Sequence, residues 1–397
     1  MLRIDIKEKC CGCEACVQKC PKHCIDFIAD IEGFSYPHVN TSLCIDCGLC
    51  ERVCPVLHPF DELKPLEVYG AINKDMDVRL TSSSGGIFSM LVNNVLRQGG
   101  VVFGARFDDS WDVILDESDT EEGCREFKGS KYVQARVGEC FKKCEDYIKN
   151  GRLVLFSGTP CQVAGLNHYL RKSYDNLITC DFICHGVPSP KVWRRYLREI
   201  ADKNKGRICH IDFRNKEKGW KKYTLKIVMN TNSSELVMSS TFSKNSYMKA
   251  FLRDLILRPS CYACQAKCGR SNSDITLADF WGVWTLDKEL DDDKGTSLII
   301  VHTKKGKALI NNNSIKIKQF NYDDIGMLNP SYRESAQPHK SRSVFFDNID
   351  SCKSVQELID EITALSFEQK IRNAFLIRYF KRIIQLMGIN QIARFNR

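Results

Sequence analysis

No apolar run in this chain is long enough to cross a bilayer, which excludes a membrane-spanning helix on sequence. Met1 to Lys9 mix charges with single apolar residues and lack the apolar centre of a secretory leader. Low-complexity tracts are missing, and so is any Gly-x-Gly-x-x-Gly fingerprint for a dinucleotide. Blocks of basic charge are missing too: the formal net charge is +9, but the lysines and arginines are spread along the chain. What remains is 43% hydrophobic and 27% charged over 397 residues, the composition of a soluble globular protein of two or three domains.

Cysteine is the residue in excess, with 21 in the chain. Eight fall in two equal runs. Cys10, Cys13, Cys16 and Cys20 precede Pro21; Cys44, Cys47, Cys50 and Cys54 precede Pro55. Both read C-x2-C-x2-C-x3-C-P, the spacing of two-cluster ferredoxins, in which the fourth cysteine serves the other cluster. One 4Fe–4S cluster is therefore assigned to Cys10, Cys13, Cys16 and Cys54, the other to Cys44, Cys47, Cys50 and Cys20. The x3-C-P step is expected to start a short helix that crosses between them. A pair of zinc sites is the competing reading, but zinc needs no triple run with an exchanged fourth ligand. Cys11 and Cys24 fall off the pattern and read as small residues beside the clusters. An oxidising compartment would turn so many cysteines into disulfides; thiolates kept for iron point to a reducing cytoplasm. Bound clusters add negative charge, so the scattered lysines and arginines read as a solvated surface suited to an acidic redox partner or an anionic cofactor, rather than a nucleic-acid footprint.

The expected organisation is multidomain, mixing α+β and α/β parts. Residues 1–57 form the two-cluster module, with Ile25 to Val39 as a hairpin between the loops, and 58–67, holding Pro59 and Pro65, form a linker. Residues 68–205 alternate strands (Val68 to Ile72, Gly100 to Phe107, Leu153 to Phe156, Leu177 to Ile183) with helices (Gly85 to Arg97, Glu139 to Lys149, Gln162 to Leu170, Lys191 to Ala201), an α/β pattern. Residues 206–330 are richer in strands, with a helix over Ser243 to Leu257. Residues 331–397 are a helical tail, helical over Ser354 to Leu386 and ending basic and aromatic at Arg378, Tyr379, Phe380, Lys381 and Arg382; such an end docks on its own domain or meets a partner or a membrane surface.

Three further stretches carry chemistry. Ser84, Gly85 and Gly86 open the helix at Ile87, with Ser84 as its cap and the glycines letting a phosphate approach backbone N–H groups; a plain capped turn looks the same. Thr159 and Pro160 start another helix, which puts Cys161 in its first turn at the end of a strand, as a metal ligand, a redox thiol, a nucleophile or a buried small residue. Cys184 and His185 end the next strand, and Ser189 and Pro190 start the helix after it. His185 is the candidate proton donor or phosphate contact, with a structural histidine as the alternative. Cys261 and Cys264 make one more close pair. Cys161, Cys184, Cys261 and Cys264 are proposed to hold a third 4Fe–4S cluster; a set using Cys268, or no third cluster, are the alternatives. Asp279 ends a strand before Phe280, Trp281 and Gly282, which suits the edge of a flat ring or a core strand with a tight turn.

Together Ser83-Ser84-Gly85-Gly86, Gly158-Thr159-Pro160-Cys161-Gln162, Cys184-His185-Gly186 and Ser273 through Gly282 resemble, in order, the beta subunits of coenzyme F420 hydrogenase and formate dehydrogenase, over about residues 65 to 330. The resemblance implies an FAD-containing flavoprotein between the α/β and strand-rich regions, beside an iron–sulfur cluster. By motif position it sets Gly85, Gly86, Thr159 and Asp279 near the cofactor, and it speaks against Cys268 as a ligand. The function it implies is an iron–sulfur flavoprotein oxidoreductase. It would exchange electrons between clusters and FAD and serve a hydride or electron-pair acceptor: the deazaflavin coenzyme, ferredoxin or a small organic substrate. The rivals are a non-catalytic electron-transfer subunit of a larger oxidoreductase and, behind it, a binding protein with structural clusters.

Overall fold

The computed structural model describes residues 6–232, 234–326 and 328–364. The two cysteine runs flank an antiparallel hairpin, β1 (Ile25–Ala29) and β2 (Ser35–Val39), as the sequence led one to expect. Gly33 turns the hairpin at φ +85°, and a Cβ there would collide with Lys191, so the turn is pressed onto the helix Pro190–Asn204. The short helices Ala15–Lys19 and Leu49–Arg52 lie before the fourth cysteine of each run. The Cys-Pro step ends them rather than starting them, because a residue before proline is driven out of the helical region; Cys20 is extended, with ψ 114°.

Eight strands make one mixed sheet. They are β3 (Glu67–Asn73), β4 (Val101–Phe107), β5 (Val113–Ser118), β6 (Val154–Ser157) and β7 (Leu177–Phe182), then, after a separate sheet of β8 (Gly206–Asn215), β9 (Thr224–Thr231) and β10 (Glu235–Thr241), the strands β11 (Ile275–Asp279), β12 (Ser297–Val301) and β13 (Ile315–Phe320). The order is β13-β3-β12-β11-β7-β6-β4-β5. The centre, β4, β6, β7 and β11, is parallel; β5, β12 and β13 join antiparallel. β6 reads as an apolar run, Val154-Leu155-Phe156, because both its faces are covered. Along β6 the faces alternate: Val154 and Phe156 enter a core with the helices Cys140–Lys149 and Pro160–Leu170, and Leu155 enters the core of the helix Ile87–Leu96. The first of these cores also takes in Cys13 and Ala15, so the cysteine module is packed onto the sheet domain and does not hang from a linker.

The expected boundary at 205/206 cuts this sheet. β3 from the first region lies between β12 and β13 from the second, with Val68 opposite Ile300. β8, β9 and β10 form their own antiparallel sheet, which shares a core with the helices Pro190–Asn204 and Ser246–Leu252. The helix expected over Ser243 to Leu257 is shorter: Asn245 caps it by accepting the Met248 N–H, and Asp254 at φ +59° has left it. Helix Val355–Ile362 falls within the expected tail, and the basic aromatic stretch of that tail lies outside the described residues. No described helix is long and apolar enough to cross a membrane.

Candidate cysteine pockets and cofactor cleft

The structure sets the fourth cysteine of each run beside the other run. Cys20 lines one cavity with Cys44, Cys47 and Cys50, and Cys24 joins them, its Sγ 3.4 Å from that of Cys20. Burial raises the Cys20 thiol, but the backbone N–H groups of Cys24, Lys22 and His23 outweigh it and hold the thiol below its ordinary value. Cys54 sits instead with the first run. Burial pushes the Cys16 thiol far up, and Cys10, Cys54 and Cys50 stand near enough to push it further.

The structure also brings Cys161, Cys184, Cys261 and Cys264 around one pocket. Thr159 caps the helix Pro160–Leu170 in a full capping box with Gln162, as the sequence indicated, and this fixes Cys161 in the first turn. Cys184 follows β7, and Cys261 lies in the short helix Pro259–Ala263. Burial carries the Cys184 thiol up to about 12, with Lys267 drawing it back and Cys161 and Cys264 adding to the rise. Lys267 is itself buried and donates to the carbonyls of Cys184 and Ser331, both at 2.6 Å. Cys268 lies outside this lining; its N–H meets the Tyr332 carbonyl at 3.0 Å. Cys11, read from sequence as a bystander, lines the pocket, and its side chain contacts both Cys13 and Cys161. It therefore stands between the first ferredoxin-type set and the third set.

A cleft of about 660 Å³ opens along the C-terminal edge of the parallel strands, where open α/β sheets bind ligands. Ser84, Gly86, Thr159, His185 and Asp279 all line it. Gly85 lies behind the lining: its N–H donates to Ser297 Oγ at 2.9 Å, and a Cβ would strike the Ala71 carbonyl 2.5 Å away, so close packing on the sheet explains this glycine. Ser84 is not the expected cap; its hydroxyl donates to the Thr296 carbonyl at 2.8 Å. The helix Ile87–Leu96 starts at Gly86, at φ +82°, without any side-chain cap, so its first N–H groups face a cleft that can take an anion. Ser83 Oγ accepts from the N–H and hydroxyl of Ser130, which ties this loop to Lys128–Tyr132. Lys131, in that second loop, is half-buried, and burial draws its ammonium down to about 8, with Glu126 and Asp212 opposing.

Asp279 is held from the far wall. Arg214 Nη2 donates to its Oδ2 at 2.9 Å and Trp220 Nε1 to its Oδ1 at 2.9 Å, and Trp220 stacks flat on Trp281 at 4.5 Å. Arg214 lies over the Tyr223 ring at 3.9 Å. Its Nε, and Asn329 Nδ2 elsewhere in the lining, are buried donors with no partner. Two orphaned donors, an uncapped helix start and a lysine around one cleft suit an electron-rich, anionic ligand. His185 sits where cleft and cysteine pocket meet, its Nε2 2.6 Å from Asp254 Oδ1 and its ring edge-on to Phe251 at 5.3 Å. Sequence reasoning missed Arg214, Lys131 and Asn329, none of which belongs to a spaced motif.

Residues 151–323 match the family described as the C-terminal part of coenzyme F420 hydrogenase/dehydrogenase beta subunits, and residues 9–57 match the 4Fe-4S dicluster domain. The chain thus carries a domain of the coenzyme F420 hydrogenase/dehydrogenase beta-subunit type behind a 4Fe-4S dicluster domain. It is similar to the F subunit of the F(420)H(2) dehydrogenase of Methanosarcina mazei, at 26% identity over 38% of this chain and 46% of that relative, so it spans about half of the relative's length. Its cysteine module is similar to a 7Fe ferredoxin of Hydrogenibacillus schlegelii, at 39% identity over 18% of this chain and 90% of the ferredoxin. A chain of the F420-reducing NiFe hydrogenase complex from Methanosarcina barkeri superposes with a TM-score of 0.46 at 16% identity, covering 74% of this chain and 95% of that chain. The two matched domains make the chain an iron–sulfur protein of the electron-transfer type, related to F420 hydrogenase/dehydrogenase beta subunits.

Proposed function

We propose that this chain is an FAD- and 4Fe–4S-dependent oxidoreductase component, with FAD in the 660 Å³ cleft and three clusters on the twelve cysteines named above. One observation carries the reading: Cys184, His185, Gly186 and Val187 line both the third cysteine pocket and the cleft. A four-residue wall thus separates the two sites. When bound, clusters supply one-electron exchange and a flavin the change between one- and two-electron transfer. The chain's own work is to hold these groups in sequence and keep water out. Cys50 and Cys16 bring the two ferredoxin-type sets together, and Cys11 links the first set to Cys161. Arg214 and the start of the helix Ile87–Leu96 would hold the anionic part of FAD. Asp279 orients Arg214. His185, fixed by Asp254, is the residue we assign to hold or deliver a proton beside the ring. The redox partner is a ferredoxin-like protein or another oxidoreductase subunit, and the acceptor is the deazaflavin coenzyme or a small organic molecule.

The test is anaerobic isolation with iron supplied, then denaturation and identification of released flavin. Near-stoichiometric FAD supports the reading. A chain that holds its clusters and takes up no flavin overturns it and leaves the electron-relay role as the better account.

A further inference from the structure

Arg258 has no exposed surface. Its Nε donates to the Cys10 carbonyl at 2.7 Å, Nη1 to Gln134 Oε1 at 3.0 Å, and Nη2 to the Ser35 carbonyl at 2.9 Å and to Cys10 Sγ at 3.5 Å. The guanidinium lies over the Tyr36 ring at 4.4 Å. None of these partners is a carboxylate. The carboxylate near enough to feel this charge, Glu14, is bonded to the Val137 and Gly138 N–H groups, so a buried cation with no carboxylate in hydrogen-bond contact calls for further negative charge at this place. The thiolates of Cys10, Cys13, Cys16 and Cys54, with the iron they would hold, are that charge.

We propose that Arg258 raises the reduction potential of the cluster on Cys10, Cys13, Cys16 and Cys54 above that of the cluster on Cys20, Cys44, Cys47 and Cys50, and so directs electrons inward. The proposal rests on both cysteine sets holding clusters. Reduction adds one negative charge to a cluster. Burial alone works against that addition at the first set, where Cys10, Cys13 and Cys16 are at most 8% exposed, and less so at the second, where Cys47 is exposed. Left to burial, an electron would stay at the outer site. A cation in hydrogen-bond contact with a ligand sulfur stabilises the reduced state and reverses the order, since charge, sulfur hydrogen bonds and exposure set these potentials. In the step itself one electron leaves the outer cluster, which is oxidised by one, and enters the inner, which is reduced by one; no bond or proton changes hands. A low-potential one-electron reductant refills the outer cluster.

The experiment is a potentiometric titration of the full cluster-loaded chain, followed by electron paramagnetic resonance, with dithionite as reductant. Cys47→Ser, which removes an outer ligand, and Cys264→Ser, which removes a ligand of the third set, assign the signals. In the unsubstituted chain the inner cluster is expected to reduce first. In Arg258→Gln the inner cluster's reduction equilibrium is expected to fall at least tenfold, about 59 mV for a one-electron couple, with the outer unmoved. Arg258→Lys, which keeps the charge, is expected to fall less. Outer-first reduction in the unsubstituted chain overturns the proposal without needing either variant, and so does a shift of both clusters alike or of neither in Arg258→Gln. A chain that fails by iron and sulfide analysis to load clusters at all overturns the underlying reading, an outcome distinct from wrongly ordered potentials.

Discussion

The two cysteine loops have the same backbone and different neighbours. Either side of the second cysteine, each has a residue in the left-handed region: Gly12 at φ +73° and Glu14 at φ +60° in the first loop, Asp46 at φ +51° and Gly48 at φ +69° in the second. The glycine has changed places. At Gly12 a Cβ would run into Gln134 and lie 3.0 Å from the Arg258 guanidinium, so no side chain fits. At Asp46 the side chain is exposed. Glu14 uses its place to accept the N–H groups of Val137 and Gly138 at 2.9 and 2.8 Å, tying the loop to the sheet domain, whereas a Cβ at Gly48 would touch only Arg52. The ligand spacing dictates the loop's shape; the surface it meets dictates which residues can stand in it.

Exchanging residues between equivalent places tests this directly. Gly12→Asp is expected to cost the most, about 3 kcal/mol, because its Cβ must push Gln134 off Arg258 from a left-handed backbone. Thermal unfolding of the cluster-loaded protein measures it, and a drop no larger than that of a surface variant would break the comparison. Glu14→Gly takes the acceptor from the N–H of buried Val137 and from that of exposed Gly138 and should cost about 1–2 kcal/mol, read in denaturant titration, with the inner cluster lost earlier than the outer. A third measurement should leave both loops alone. Lys131 holds its proton below a pH of about 8 and loses it above. An anionic ligand of the cleft, FAD in our reading, should bind at full strength below that pH and weaken above it, by at most about tenfold per pH unit. Fluorescence titration at pH 7 and pH 9 reads it, and equal affinity would remove Lys131 from the site. The smallest effect belongs to Asp46→Gly, within about 0.5 kcal/mol, since that place meets solvent.

What could be read from the sequence was local. The cysteine runs, the Thr159 and Ser189 caps and the central strands depend on residues a few places apart, and the structure agrees with them. The β5, β10 and β13 strands went unforeseen: β13 has one buried residue in six and none of β10 is buried, so neither stands out as a core strand despite the Ile-Lys alternation of β13. The position of Cys11 beside Cys161, of Arg258 on Cys10 and of Arg214 over the cleft depends on chain segments distant in sequence, which no spacing rule reaches. Ser84 was misassigned because its hydroxyl found the Thr296 carbonyl on a distant loop before it could serve its own helix.

The pairing of β3 with β12 has a consequence for how the chain is made. During synthesis Val68 leaves the ribosome long before Ile300, and at about 5–20 residues per second the wait is on the order of tens of seconds. For that time β3 is an apolar strand with both edges bare. The inner cysteine loop is in the same position, since it emerges 248 residues ahead of Arg258, which closes over it. The nascent segment that carries β3 is therefore expected to need protection until the far end of the sheet arrives, and loading of the inner site to finish only once Arg258 has emerged.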